Sequence, residues 1–304
     1  VNASTAGTTA PAPAWNGSGG LPAQCGVLGG GRMGSGIAHA LLLAGAAVRV
    51  AESEDGRAEE ARAAVERAVR ASEQRGVLTG SATEVLQRLE VGVGARFLAP
   101  CGLAVEAVPE DPALKARVLA ELDDALAPGA VLATNTSSIS IAELAAALGP
   151  DRPFLGLHFF NPVPASALVE VVHAPSTPPG LVESARGWVG ELGKTAVVVR
   201  DAPGFASSRL GLALGLEAVR MVEEGVAAPE DIDAAMVLGY RHPIGPLRLT
   251  DLVGLDVRLG IAEHLERTLG PRFAPPQLLR DKVARGELGR KSGRGFYSWE
   301  EGSR

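Results

Sequence analysis

Cys25-Gly-Val-Leu-Gly-Gly-Gly-Arg-Met-Gly34 is the stretch that decides the fold. A short apolar run, read as a strand, enters a cluster of glycines, and residues 35–47 beyond it read as an apolar helix. Gly29, Gly31 and Gly34 fall in the pattern GxGxxG. That pattern alone is weak, because glycines gather in many turns. Its context strengthens it: a strand precedes it, a helix follows it, and Val48-Arg-Val-Ala leads to an acid, Glu52, 18 residues after Gly34. A strand–turn–helix of this kind binds dinucleotides. Gly29 permits the tight turn, Gly31 lets the backbone approach a pyrophosphate, and Gly34 lets helix and strand pack closely. The helix N-terminus, with Arg32 and Met33 in its first turn, offers N–H groups and partial positive charge to the phosphates. Glu52 suits the ribose hydroxyls. Ser53, Glu54 and Asp55 follow it, so an added 2′-phosphate would meet carboxylates, and NAD is expected over NADP. Arg57 is the nearby cation that opposes this reading.

Outward from the glycines, strands and helices alternate. Leu103-Ala-Val-Glu-Ala-Val, Val131-Leu-Ala-Thr-Asn, Phe154-Leu-Gly-Leu-His-Phe-Phe, Leu168-Val-Glu-Val-Val and Ala196-Val-Val-Val read as buried strands. Residues 57–75 and 115–126 carry helical spacing. This alternation predicts a mainly parallel sheet covered on both faces, an α/β domain of Rossmann type. After Asp201-Ala-Pro-Gly-Phe the β-branched runs stop. Residues 207–224 read as one long helix with an apolar stripe at Leu210, Leu214, Ala218, Met221 and Val222. Pro229-Glu-Asp starts another helix, and further helical segments are expected over 247–269 and 277–285. The expected plan is a disordered tail at 1–22, a dinucleotide-binding domain at 23–200 and an all-helical domain for substrate and dimerisation at 201–304.

The 304 residues suffice for two packed domains. A net charge of −6 argues against a nucleic-acid partner. No apolar run approaches the ~20 residues that span a bilayer. No secretory signal pattern is read at the start of the chain. Cys25 and Cys101 lack any metal-ligand or CxxC spacing, so neither a metal site nor a disulfide is expected, and a cytoplasmic location fits.

Four further motifs stand out: Thr134-Asn-Thr-Ser137-Ser-Ile, Gly156-Leu-His158-Phe-Phe-Asn161-Pro-Val-Pro, Leu168-Val-Glu170-Val-Val and Asp201-Ala-Pro-Gly-Phe205. With the glycine fingerprint, Glu106-Ala-Val-Pro-Glu110 and Lys291-Ser-Gly-Arg-Gly-Phe-Tyr297, they resemble the 3-hydroxyacyl-CoA dehydrogenase family, including bacterial 3-hydroxybutyryl-CoA dehydrogenases. The resemblance spans about residues 24–300. It implies an NAD-dependent oxidoreductase acting on an acyl thioester, with His158 and Glu170 as a dyad and Ser137 as an assisting hydroxyl. It also implies that Glu110 and Lys115 lie at the nicotinamide side, with Asn161 and Lys291 nearby, and that the helical domain forms a homodimer.

The residues themselves suit that chemistry. Oxidising an alcohol needs a base for the hydroxyl proton as hydride leaves carbon, and an imidazole titrating near ~6.5 serves. A carboxylate such as Glu170 can hold the far ring nitrogen and stabilise the imidazolium. Ser137 can donate to the substrate oxygen. A lone histidine after a strand is ordinarily structural, and Ser137 alone would suit a helix cap. His39, His173, His242 and His264 have no such context and are expected to be structural or exposed. Cys25 and Cys101 are expected in the core.

The chain departs from the family at Ser208, which stands where an asparagine orients substrate in DxPGFxxNR. Lysines that family members use for CoA are replaced by Arg67, Arg70 and Arg75, of which Arg75 is the candidate carrier contact. These changes suggest a substrate smaller or more polar than a fatty acyl chain. An alternative is a glyceryl unit on an acyl carrier protein in polyketide extender synthesis. Two others are a free polyol or sugar-acid dehydrogenase and a weakened NAD-binding or structural relative.

Overall fold

The computed structural model describes residues 19–299. Most of the tail expected at 1–22 lies outside them. Residues 19–21 are held against a later helix: Trp188 Nε1 donates to the Gly20 carbonyl at 3.0 Å and Leu21 N to Glu191 Oε1 at 3.0 Å. Contacts divide the chain into a first unit ending at Asp201 and a second beginning at Ala202.

The first unit is an eight-stranded sheet with helices. Its strands are β1 (Gln24–Leu28), β2 (Ala47–Glu52), β3 (Leu89–Val93), β4 (Leu103–Glu106), β5 (Val131–Thr134), β6 (Phe154–Phe159), β7 (Leu168–His173) and β8 (Thr195–Arg200), in the spatial order β3-β2-β1-β4-β5-β6-β7-β8. The helices are α1 (Arg32–Leu43), α2 (Asp55–Gln74), α3 (Ala82–Leu86), α4 (Pro112–Ala125), α5 (Ile141–Ala145) and α6 (Pro179–Glu191). All neighbouring strands are parallel except β6 and β7. Every residue of β4, β5 and β6 is buried, as their unbroken apolar runs require when both faces are covered. The direction of strand progression switches between β1 and β4, which opens a crevice at their carboxyl ends. Gly29 and Glu106 stand at that switch point.

The β6–β7 pairing departs from a uniformly parallel sheet for a simple reason. Only residues 160–167 connect the two strands, whereas a parallel crossover needs a dozen or more. Lys194 fastens this connection, its Nζ donating to the carbonyls of Val163 at 2.7 Å and Ser166 at 2.5 Å.

The second unit is helical: α7 (Ser207–Glu223), α8 (Pro229–Tyr240), α9 (Pro246–Val253), α10 (Leu255–Leu269) and α11 (Gln277–Ala284). The stretch 247–269 is broken at Gly254, whose φ of +106° no helix accommodates. On α7 the expected Ala218 is buried and Met221 and Val222 pack on the core, with Leu212, Leu216 and Val219 completing the inward face, while Leu210 is 71% exposed. The helix has two apolar faces, and periodicity alone could not say which one meets the core. Asp251 closes the unit. Its buried carboxylate accepts from Phe296 N, Tyr297 N and Trp299 Nε1 at 2.8–2.9 Å. The Lys-Ser-Gly-Arg-Gly-Phe-Tyr segment is thereby wrapped around one acid.

Candidate active site

At the end of β1, Gly29 takes φ +93°, and an added Cβ at Gly34 would collide with the Gly29 carbonyl. Gly31 is the N-cap of α1, and no side chain caps it and no acid sits in the first turn. An added Cβ on Gly31 would meet nothing within 4 Å. These are an open approach and an uncapped helix start, the two things an anionic ligand needs. Arg32 is exposed at the rim, and Met33 packs on the core. Glu52 accepts from Gly30 N at 2.6 Å and Ser53 N at 3.2 Å. A cleft of about 240 Å³ is lined by Gly31, Arg32, Ser35, Glu52, Arg57 and Glu60. Arg57 pairs with Glu54 at 3.3 Å. These residues fit the dinucleotide that the glycine pattern predicts.

Beside this cradle lies a charged network built from the ends of β4 and β5. Glu106 Oε1 meets Lys115 Nζ at 2.7 Å, and both side chains are essentially buried. Glu106 also accepts from Val108 N at 2.7 Å and, through Oε2, from Thr134 Oγ1 at 2.6 Å. Asp111 caps α4 by accepting from Leu114 N at 2.7 Å, and this start of the helix presents Lys115. Glu110 lies 3.4 Å from the same ammonium. Its Oε1 gathers the loop after β5, accepting from Thr136 Oγ1 at 2.7 Å, Ser137 N at 2.9 Å, Ser137 Oγ at 3.2 Å and Ser138 N at 3.0 Å. Burial by itself would raise the Glu110 carboxyl. Lys115 and the donors from Thr136, Ser137 and Ser138 outweigh it and hold the group below the usual carboxylate range.

The third piece is the antiparallel pair. His158 and Glu170 are direct cross-strand partners in the β6–β7 register. His158 Nδ1 and Glu170 Oε2 stand 2.7 Å apart, and both residues are buried. The Phe160 ring packs 4.4 Å from the imidazole, centroid to centroid. Glu170 sits between Val169 and Val171 in the strand, a position at which a carboxylate requires a partner.

Ser137, Glu110, Lys115, His158, Glu170, Glu52 and the glycines thus all belong to the first unit. Asn161 is exposed, immediately before a cis bond to Pro162. Arg75 is exposed at the end of α2 and donates to Ser72 Oγ at 3.3 Å. Ser208 lies in the first turn of α7, and Lys291, also in the second unit, pairs with Asp256 at 2.6 Å. Sequence reasoning passed over Glu106 as a site residue. Its signal was an acid closing an otherwise apolar strand, Leu103-Ala-Val-Glu106.

Comparison with known proteins gives the family. The 3-hydroxyacyl-CoA dehydrogenase NAD binding domain matches residues 24–202, and the C-terminal domain of the same family matches 204–299. A 3-hydroxybutyryl-CoA dehydrogenase of Mycobacterium tuberculosis is 43% identical over 284 residues, covering 91% of this chain and 98% of the relative. One from Bradyrhizobium diazoefficiens is 39% identical, covering 91% and 95%. The solved structure of (S)-3-hydroxybutyryl-CoA dehydrogenase from Ralstonia eutropha has a TM-score of 0.88 at 36% identity, covering 91% of this chain and 99% of that one. With both of the family's domains matched in order, the chain belongs to the 3-hydroxyacyl-CoA dehydrogenase family of NAD-dependent oxidoreductases.

Proposed function

We propose that the chain interconverts a short 3-hydroxyacyl thioester and its 3-oxoacyl form, with His158 as general base and acid. The observation that carries this reading is the 2.7 Å contact between His158 Nδ1 and Glu170 Oε2 inside the sheet. NAD, when bound at the glycine cradle, supplies the two-electron acceptor. In the oxidative direction the C3 hydroxyl gives its proton to His158 Nε2 while the C3–H bond breaks and its electron pair leaves with the hydrogen. Reduction returns that proton from Nε2. Glu170 remains a carboxylate, fixes which ring nitrogen carries the proton, and stabilises the imidazolium. Ser137 turns its hydroxyl from Glu110 to donate to the substrate oxygen, its loop still held by the Ser137 N–H bond to Glu110. Lys115 and Glu110 serve the nicotinamide side, and Glu52 the adenosine ribose.

The test is turnover of acetoacetyl-CoA with NADH by the wild type and by His158→Ala. Loss of turnover with NADH binding retained supports the dyad, and an active variant refutes it. Serine at 208 favours a second reading, a relative that keeps the pocket and has lost rate. Failure of the wild type on every thioester assayed would favour it. The carrier-protein alternative is separated by running a carrier-bound glyceryl thioester alongside: faster turnover of the CoA substrate disposes of it. We also propose a homodimer through the helical unit, supported by the exposed Leu210, Leu238 and Tyr240 and read out by light scattering.

A further inference from the structure

Glu52-Ser-Glu-Asp-Gly-Arg57 carries the chain from the end of β2 into α2, and two of its charges face one cleft. Glu52 is fixed there. One carboxylate oxygen accepts from Gly30 N at 2.6 Å and the other from Ser53 N at 3.2 Å. An anion arriving at the cleft cannot push this acid aside without breaking both bonds. Arg57 lines the same cleft from the first turn of α2. In dinucleotide sites that take NADP, an arginine near the strand-end acid receives the 2′-phosphate. The cleft thus holds one group that suits a ribose hydroxyl and one that suits a phosphate.

A second acid engages the arginine. Glu54 is the N-cap residue of α2, yet its side chain caps no backbone N–H. Its carboxylate turns instead to Arg57, Oε1 accepting from Nε at 3.3 Å. Glu60 also lines the cleft from α2 but makes no ion pair with Arg57 among the described residues. Glu54 is therefore the acid that balances this guanidinium. The two side chains are 63% and 68% exposed. A pair so placed is worth a factor of about five at most, small enough for a ligand to contest and large enough to measure.

We infer that the Glu54–Arg57 pair determines cofactor selectivity, with Glu54 withholding the guanidinium from a 2′-phosphate. While the pair holds, an NADP phosphate meets the fixed Glu52 carboxylate with no free cation to offset it. Released from Glu54, the same arginine becomes a phosphate ligand. The inference rests on Glu52 serving the adenosine ribose, as proposed above.

The experiment measures the dissociation constants of NADH and NADPH by fluorescence titration of the full-length protein, with no thioester present, and reads their ratio. The wild type should bind NADPH at least about thirtyfold more weakly, because like charges are set against each other. Glu54→Gln removes the charge, keeps the shape and costs no helix cap. It should narrow the ratio by about three- to fivefold, through tighter NADPH binding and not through weaker NADH binding. Arg57→Gln should cancel that gain in the Glu54→Gln background and move the ratio less in the wild type. Glu54→Gln/Arg57→Lys should keep part of the gain. Adenosine 2′,5′-bisphosphate should raise the melting temperature of Glu54→Gln more than that of the wild type, whereas 5′-AMP should shift the two alike. Glu52→Gln tests the reading beneath. A ratio it leaves unmoved sinks the ribose assignment, while the coupling of Glu54 to Arg57 is still read from the other variants. A wild type that binds both cofactors equally overturns the inference, and so does a ratio unmoved in Glu54→Gln. A gain that survives in Glu54→Gln/Arg57→Gln overturns it as well, since Glu54 would then act by its own charge and not through the arginine.

Discussion

Lys115 Nζ and Glu106 Oε1 form a 2.7 Å ion pair whose side chains keep 1% and 0% of their exposure. The pair joins the start of α4 to the end of β4, at the switch point where the cofactor crevice opens. Removing one partner leaves the other as a buried, uncompensated charge. Lys115→Met should therefore destabilise the protein by about 3–5 kcal/mol in urea denaturation. The double variant Lys115→Met/Glu106→Gln should recover most of that loss while remaining weak in NADH binding. A double variant no more stable than the single one would show that the two charges are not coupled.

Glu170→Gln keeps the shape of the dyad and removes its charge. The expected result is a fall in kcat of about 10²–10⁴-fold with the NADH dissociation constant nearly unchanged. Stopped-flow oxidation of NADH against acetoacetyl-CoA measures the first, and fluorescence titration the second. Wild-type turnover by Glu170→Gln is the result that contradicts the mechanism.

His39, on α1, supplies a pH dependence unrelated to catalysis. Its Nε2 lies 2.9 Å from Ser72 Oγ, and the residue is buried. Burial first, then Arg75 and Lys194, hold its pKa down at about 4 from an ordinary 6.5. The unfolded chain therefore takes up a proton near pH 6.5 that the folded one refuses until about 4. Stability is full above that window and falls as pH drops through it, by at most ~3 kcal/mol. Urea unfolding at pH 7 and 4.5 should show the slope in the wild type, and His39→Gln should flatten it.

Asp251→Asn tests the clasp of the second unit. The carboxylate accepts three N–H donors, and an amide offers one oxygen and turns an NH₂ toward the rest. A loss of roughly 2–3 kcal/mol is expected, seen as an earlier urea midpoint. A midpoint equal to that of the wild type would show that the C-terminal segment is held by its aromatic packing alone.

The parts of this molecule that were legible in the sequence are those with a local code. Gly29, Gly31, Gly34 and Glu52 were readable because a tight turn, a backbone approach and a strand end each demand a residue type. Glu170 was readable as a carboxylate inside an apolar strand that asks for a partner, while its pairing with His158 came from the family resemblance. Glu106 was not singled out, since its partner Lys115 is set by where a helix begins and not by spacing along the chain. The inward face of α7 was legible at Ala218, Met221 and Val222 and missed at its start, where Leu210 and Leu212 offer the same hydrophobic signal and only packing chooses between them.

The antiparallel step between β6 and β7 has a consequence for how this chemistry endures. His158 and Glu170 face each other because the ladder aligns them, residue opposite residue. Their alignment is set by the ladder and not by the length of the segment joining the strands. A slip of the ladder by a single position, in contrast, would turn the acid to the opposite side of the sheet. The contact between His158 and Glu170 is thus written into backbone pairing.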